Sequence, residues 1–362
     1  MQKIKKLTAQ EARKIAAGEV VERPANIVKE LVENSIDSGA TTISIWIISA
    51  GKKLIRVVDN GCGMSKEDAL ICFEHHATSK ITTIEDLNTL STFGFRGEAL
   101  SSISSVSKVT LITQSENDKE GTLVELEDGK IVNQQNVATS QGTDISIKDL
   151  FYNVPARLKF LKQDDTEWRQ IVNLFCALAL SYKEIHFKLF HDDKLVYNCP
   201  PSSDLKNKLV QLWDHNFAEN MMELDMTDPS TTLSLRSGRT GQKDTHSELP
   251  ASRVAEGISR DKPFEQLSIS GLISKNNFFR YNRSQIFFFV NGRWVKNNSL
   301  SKSLIKGYLN VLPQDRFPAA FIFISIDPTQ IDVNIHPRKE EVQFLYPKKI
   351  EQLILNNTKK KA

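Results

Sequence analysis

The 362-residue chain is 40% apolar and 25% charged, ordinary for a folded protein and long enough for about two domains with substantial cores. Its net charge of +3 is spread unevenly: residues 271–362 carry 15 Lys and Arg against 6 Asp and Glu, a local +9 that leaves the rest at −6, and a basic stretch of this kind points to a nucleic-acid surface. The four cysteines, Cys62, Cys72, Cys176 and Cys199, make no C-x-x-C pair, which argues against zinc or dithiol chemistry. No signal-peptide apolar region and no run of ~18 apolar residues occurs, which argues against a membrane span and for a reducing cytoplasm.

Thr8 caps a short helix that runs to Ala17 and closes at Gly18, with Glu11 placed as in a capping box. Pro24 opens a second helix, Pro24–Asp37, in the first turn, where its missing N–H costs nothing. Val28, Leu31, Val32 and Ile36 form its apolar face, and Glu30, Glu33, Asn34 and Asp37 a polar one. Glu30 and Asn34 lie one turn apart, so their side chains meet over one spot. A carboxylate there can orient a water or take its proton, and a carboxamide oxygen beside it suits Mg²⁺. Residues 41–48 and 54–58 read as strands joined by a turn at Gly51-Lys52. The second ends in Asp59, placed to accept a hydrogen bond from an amino group, and in a loop opened by Gly61 and Gly63.

Residues 65–75 read as a helix capped by Ser65, on which the adjacent His75 and His76 diverge and make poor co-ligands. A Ser- and Thr-rich mobile loop, 77–93, leads to Gly94 and Gly97 and a helix over 98–105. Glycine amides at a helix start form an anion site, reached here without any G-x-x-x-x-G-K-S/T loop. Strands follow over 109–113, 122–126 and 142–147. A helix over Asp164–Ser181 then presents Trp168, Ile171, Leu174, Phe175 and Leu178 to a core. Strands over 185–190 and 194–197 form a hairpin around Asp192-Asp193, and the first domain, 1–210, hands over near 200–212. Residues 228–262 are too rich in Ser, Thr, Gly, Pro and charge to order themselves, and read as a flexible insertion in a second domain, 211–345. That domain reads as strands over 267–274, 285–290, 320–326 and 331–335 with a helix over 299–309, a β-α-β order with a right-handed crossover. The second strand turns at Asn291-Gly292, and residues 346–362 read as a disordered basic tail.

Glu30-to-Asn34, Asp59-x-Gly61-x-Gly63, Gly94-x-x-Gly97 and Gly142-Thr143 occur in that order. The series resembles the ATP-binding fold shared by DNA gyrase, heat-shock chaperones, histidine kinases and MutL. The segments AAGEVVERPANIVKELVENSIDSGAT (16–41), DNGCGM (59–64), HATSKI (76–81), GFRGEALSSISSV (94–106), LFYNVPARLKFL (150–161) and DVNIHPRKEEVQF (332–344) resemble signatures of the MutL family of DNA mismatch-repair proteins. The resemblance implies an α+β chain, a Bergerat-type ATPase α/β sandwich followed by a ribosomal-protein-S5-like α+β domain. It implies that Asp59 accepts from the exocyclic amine of adenine, that Gly61 and Gly63 leave room for the base, and that Thr143 sits near it. Residues 75–98 would be a lid over the triphosphate. Asp37, Met64, Thr78, Ser79, Lys80, Gly94, Phe95, Gly97, Glu98, Ala99 and Leu100 would complete the nucleotide site, with Arg96 as a phosphate ligand or a brace for the lid. Glu30 would orient the attacking water, Asn34 would hold Mg²⁺ with the phosphates, and Lys339 would reach the γ-phosphate from the second domain.

The function implied is slow Mg²⁺-dependent ATP hydrolysis, with ATP ordering the arm 1–20 and joining two copies into a homodimer that clamps DNA. Arg280, Arg283, Arg293, Lys296, Lys302 and Lys306 would line its groove and contact the phosphates of double- or single-stranded DNA without sequence preference. Implied partners are a mismatch-recognition protein of MutS type and a downstream nuclease or helicase, in the bacterial cytoplasm and at the nucleoid when active. Two rival readings are another ATPase of the same superfamily, a histidine kinase or topoisomerase subunit, and a nucleotide-binding scaffold with negligible turnover. The chain resembles an N-terminal portion of such proteins.

Overall fold

A computed structural model describes residue 11 and residues 17–18, 21–75, 77, 98–225, 267–332 and 342–362. The chain divides into two compact units, Met1–Ala218 and Glu219–Ala362. Most of the N-terminal arm, most of the expected lid, the insertion 228–262 and Lys339 lie outside the described residues.

The first unit is built on eight strands: β1 (Thr42–Ile48), β2 (Leu54–Asp59), β3 (Lys108–Gln114), β4 (Gly121–Glu127), β5 (Lys130–Val137), β6 (Gly142–Lys148), β7 (His186–His191) and β8 (Lys194–Cys199). They lie in the order β5-β4-β3-β6-β2-β1-β7-β8, with every neighbouring pair antiparallel except β1 and β7. Period-two alternation fixes which face is dry. Ile43, Ile45 and Ile47, Ile55 and Val57, Ile145 and Ile147, and Phe187 and Leu189 are all buried on it. Helix α1 (Pro24–Asp37) packs on β2 and on a longer helix of Asp164–Ser181. That longer helix buries Ile171, Leu174, Phe175 and Leu178, and its Phe175 meets Phe187 edge to face at 6.1 Å. On the other face Trp46 stacks on Phe190 at 4.8 Å. Arg56 covers Trp46 and binds Asp144 through two parallel hydrogen bonds of 2.9 and 2.6 Å, a cross-strand brace between β2 and β6.

Three differences from the sequence expectation matter here. The expected helix over 65–75 is a short one, α2 (Lys66–Ile71), capped by Ser65. The segment 200–212, expected as a handover, holds a helix of Leu205–Leu212 within the first unit. Strand β5 was not expected. It is an exposed edge strand whose Asn and Gln side chains give no apolar alternation, and its signal is the Asp128-Gly129 turn, with φ of +51° and +72°.

The second unit contains a five-stranded sheet, its order Arg293–Val295, Ile286–Val290, Ala320–Ser325, Ser268–Ser274, Met221–Asp225, with Ile286–Val290 and Ala320–Ser325 parallel. Phe288, Val290, Ile322 and Ile324 join one core, while Phe287 stacks on Phe321 and Phe289 on Phe323 across the same strand pair. Residues 346–362 correct the disordered-tail expectation: Pro347–Lys361 is a helix. Ile350, Ile354 and Thr358, four residues apart, are fully buried, and Gly307 of the helix Asn298–Gly307 approaches Thr358 so closely that a Cβ would lie 2.6 Å from it. The helical period sits beneath a polar, lysine-rich surface that dominates the composition. Among the described residues no helix is long and apolar enough to cross a membrane.

Replacing Ile354 by Ala should therefore destabilise the second unit by about 2–5 kcal/mol, whereas the exposed Lys360→Ala should stay within about 0.5 kcal/mol. Urea unfolding of both variants checks this, and equal midpoints would contradict the packed helix.

Candidate functional site

The C-terminal end of β2 carries Asp59, half-buried and held from two sides. Ser35, on the inward side of α1, donates from Oγ to Asp59 Oδ2 at 2.6 Å, and the Gly61 N–H donates to Oδ1 at 2.9 Å. The Ser35 Oγ also lies 3.2 Å from the Leu31 carbonyl. A hydroxyl has one proton, and the nearer, charged acceptor takes it. Burial pushes the Asp59 carboxyl above its ordinary range, against the pull of hydrogen bonds from Ser35, Gly61 and the Thr143 backbone.

Neighbouring strand ends are locked to this point. Thr143 on β6 is the register partner of Asp59 on one side and of Thr113 on β3 on the other. Thr113 is buried: it accepts from the Met64 N–H at 3.0 Å, donates to the Gly142 carbonyl at 2.9 Å and lies 3.2 Å from Thr143 Oγ1. The sequence reading missed Ser35 and Thr113. Neither stands in a chemically distinctive motif, and only the strand register brings Thr113 beside Thr143. Gly63 has φ +66°, and a Cβ there would lie 2.0 Å from the Gln114 carbonyl oxygen; a Cβ on Gly61 would lie 1.9 Å from Ser38 Oγ. Both glycines are thus required by the packing of the chain itself, whatever occupies the cleft.

The polar face of α1 is not a solvated one. Glu30, Asn34 and Asp37 are half-buried, and Glu33 is buried with Lys29 3.8 Å away. Glu30 makes no hydrogen bond or ion pair among the described residues. It lies five residues before Ser35, a rise of about 7.5 Å along the helix axis, so one helix supplies both the brace of Asp59 and a half-buried carboxylate. Helix α3 (Ala99–Val106) begins with Glu98 at its cap, and Glu98, Ala99 and Leu100 are half-buried. Its buried Ser101, Ser104 and Ser105 satisfy their hydroxyls by donating to carbonyls three residues back.

Thr78, Ser79, Lys80, Gly94, Phe95, Arg96, Gly97 and Lys339 lie outside the described residues. No three His, Cys, Asp or Glu among the described residues converge on a metal position. The basic residues named from the sequence are distributed over the second unit. Arg280 and Arg283 lie on one loop, Arg293 begins the Arg293–Val295 strand and Lys296 follows it, and Lys302 and Lys306 are exposed one turn apart on Asn298–Gly307.

A family model described as "Histidine kinase-, DNA gyrase B-, and HSP90-like ATPase" matches residues 22–154, and this defines the first unit as an ATPase domain of that class. A second, "DNA mismatch repair protein, C-terminal domain", matches residues 251–362. Full-chain comparison finds the DNA mismatch repair protein MutL of Acidobacterium capsulatum, 39% identical over 344 residues that cover 95% of this chain and 50% of the relative. MutL of Thermoanaerobacter sp. is 38% identical over 359 residues, 99% of this chain and 53% of that one. The solved "Aquifex aeolicus MutL ATPase domain complexed with ADP" superposes with a TM-score of 0.58 at 29% identity, covering 85% of this chain and 94% of that one. The crystal structure of the N-terminal domain of a DNA repair protein, at TM-score 0.74 and 23% identity, shares the fold. The chain belongs to the MutL family of DNA mismatch repair proteins. Its two units have the expected α+β architecture, the ATPase sandwich and the ribosomal-protein-S5-like domain. It spans about half the length of these curated relatives.

Because the folded chain holds the Asp59 proton more firmly than the unfolded chain does, ionising Asp59 works against folding. That cost grows as pH rises from the ordinary carboxyl value through the raised one and is complete above it. The melting temperature of Asp59→Asn relative to the parent chain should therefore increase with pH across this window. A difference that is flat or falls with pH would show that burial does not oppose the charge.

Proposed function

We propose that this chain binds Mg²⁺–ATP in the cleft between α1 and the Asp59 loop and hydrolyses it slowly. The supporting observation is the pairing on α1 of a half-buried Glu30, without a partner among the described residues, with the Ser35 that steadies Asp59. Asp59 accepts from the adenine amine, with Thr143 beside the base. Glu30 aligns a water and takes its proton. Asn34 suits a hard cation whose other ligands come from the phosphates, and Mg²⁺ bound there supplies charge neutralisation. Asp37, Met64, Glu98, Ala99 and Leu100 belong to the same cleft in this reading, together with Thr78, Ser79, Lys80, Gly94, Phe95, Arg96 and Gly97. Lys339 meets the γ-phosphate and reports its presence.

ATP acts as a switch that binds the paired form of the chain more tightly than the single one. Two copies close around DNA, with Arg280, Arg283, Arg293, Lys296, Lys302 and Lys306 on phosphates, and hydrolysis reopens them. The setting is the bacterial cytoplasm at the nucleoid, between a mismatch-recognition protein of MutS type and a downstream nuclease or helicase. The ADP complex of the Aquifex aeolicus relative supports nucleotide use, and the family assignment supports the repair role.

Glu30→Ala should keep nucleotide affinity within a few-fold while turnover falls by at least about 100-fold; a wild-type rate would remove the base assignment. Asn34→Ala should lose Mg²⁺–ATP binding in a calorimetric titration, and unchanged affinity would rule out its metal role.

Turnover per chain should rise with protein concentration, and a dimer should appear on sizing only with a non-hydrolysable ATP analogue. Constant specific turnover from a monomer would leave an ATPase without the clamp. Analogue binding without turnover would favour the scaffold.

A further inference from the structure

Two loops of the second unit, residues 275–285 and 313–317, are tied by an isolated antiparallel bridge. The Arg280 N–H donates to the Phe317 carbonyl at 2.7 Å and the Phe317 N–H to the Arg280 carbonyl at 2.9 Å. Arg280 Nε also binds Gln285 Oε1, and the Gln285 carbonyl accepts from Ala320 in the sheet at 2.8 Å. Side chains alternate across such a bridge, so Arg280 and Phe317 point one way and Phe279, Tyr281 and Arg316 the other.

The ring contacts follow that division. Arg316 lies 4.4 Å from the Tyr281 ring centre and 5.7 Å from that of Phe279, and the two rings meet edge to face at 6.4 Å. On the opposite side Arg280 covers Phe278 at 4.2 Å and Arg283 covers Phe317 at 5.0 Å. Tyr281 is nevertheless 75% exposed. Core packing does not account for a large ring held in place yet left mostly in water. A guanidinium lying on an aromatic face keeps its in-plane N–H groups directed outward, although one Arg316 donor is used on the Asp315 carbonyl at 3.2 Å. The surroundings are cationic: residues 271–362 carry a net +9, with Asp315 the one carboxylate in these two loops.

We propose that the Phe279–Tyr281–Arg316 face is a stacking platform for unpaired bases of single-stranded DNA. The proposal rests on the DNA-binding reading above and adds to it the aromatic residues and the strand state they select. In a duplex the base faces are hidden in the stack, so only phosphate contacts form. An unpaired base can lie on the open face of Tyr281 whatever its identity, because every base has a π-face.

Fluorescence anisotropy of the whole chain with a labelled oligothymidylate, and with a duplex of the same length at the same salt, tests this. Tyr281→Ala should weaken single-strand binding about tenfold and leave duplex binding within about twofold, with the melting temperature unchanged; Tyr281→Phe should bind both within about twofold of the parent. Unchanged single-strand binding in Tyr281→Ala, an equal loss for both DNA forms, or a parent chain that binds duplex alone would overturn the platform and leave the DNA reading standing. A parent chain that binds neither DNA would remove both.

Discussion

A carboxylate partly stripped of water at the end of a strand is the constraint around which the first unit is arranged. Asp59 is tolerable in its position only because a helix hydroxyl and a loop N–H are brought to it. The hydroxyl requires Ser35 to face inward, which fixes the rotation of α1 and, with it, the direction of the adjacent Asn34 and of Glu30 more than a turn away. The N–H requires the loop after β2 to double back closely, and Gly61 and Gly63 allow this where any side chain would strike Ser38 or Gln114. Thr113 then fastens the far side of that loop through Met64 and Gly142. The helix, three strand ends and a loop are thus mutually determined, and disturbing any one should be felt at the others.

The second unit is organised by apolar strands buried on both faces. Phe288 and Val290 face the helices while Phe287 and Phe289 stack on Phe321 and Phe323. Charge is pushed to its helices and loops, where arginines lie on aromatic rings. The excess of positive charge is concentrated in residues 271–362, where 15 Lys and Arg face 6 Asp and Glu.

What could be read from the sequence follows from how local each determinant is. The helices Pro24–Asp37 and Asp164–Ser181 carry their period and their stops in their own residues, and both were placed at their observed limits. Strands β1 and β2 announce themselves through β-branched alternation. Strand β5 does not, because an edge strand exposed on both faces is under no demand to alternate, and its pairing with β4 is decided by the Asp-Gly turn. The helix Pro347–Lys361 was hidden because three buried positions among fifteen are enough to dock it while the remaining polar residues set its composition. In the candidate site, Glu30, Asn34 and Asp59 were legible as chemistry. Ser35 and Thr113 were not, since their importance lies in the rotation of a helix and the register of a sheet.

The hydrogen bonds that Asp59 already accepts from the chain have a further consequence for which base it can face. A carboxylate only accepts. Under the proposed reading a purine must present a donor at that edge, as the adenine amine does. Guanine offers a carbonyl oxygen in the same place, setting lone pairs against a charge already short of water. Rejection of guanine would then come from repulsion rather than from a missing contact, which is the stronger form of discrimination. The same burial that weighs on the stability of the fold would make the pocket particular about its nucleotide.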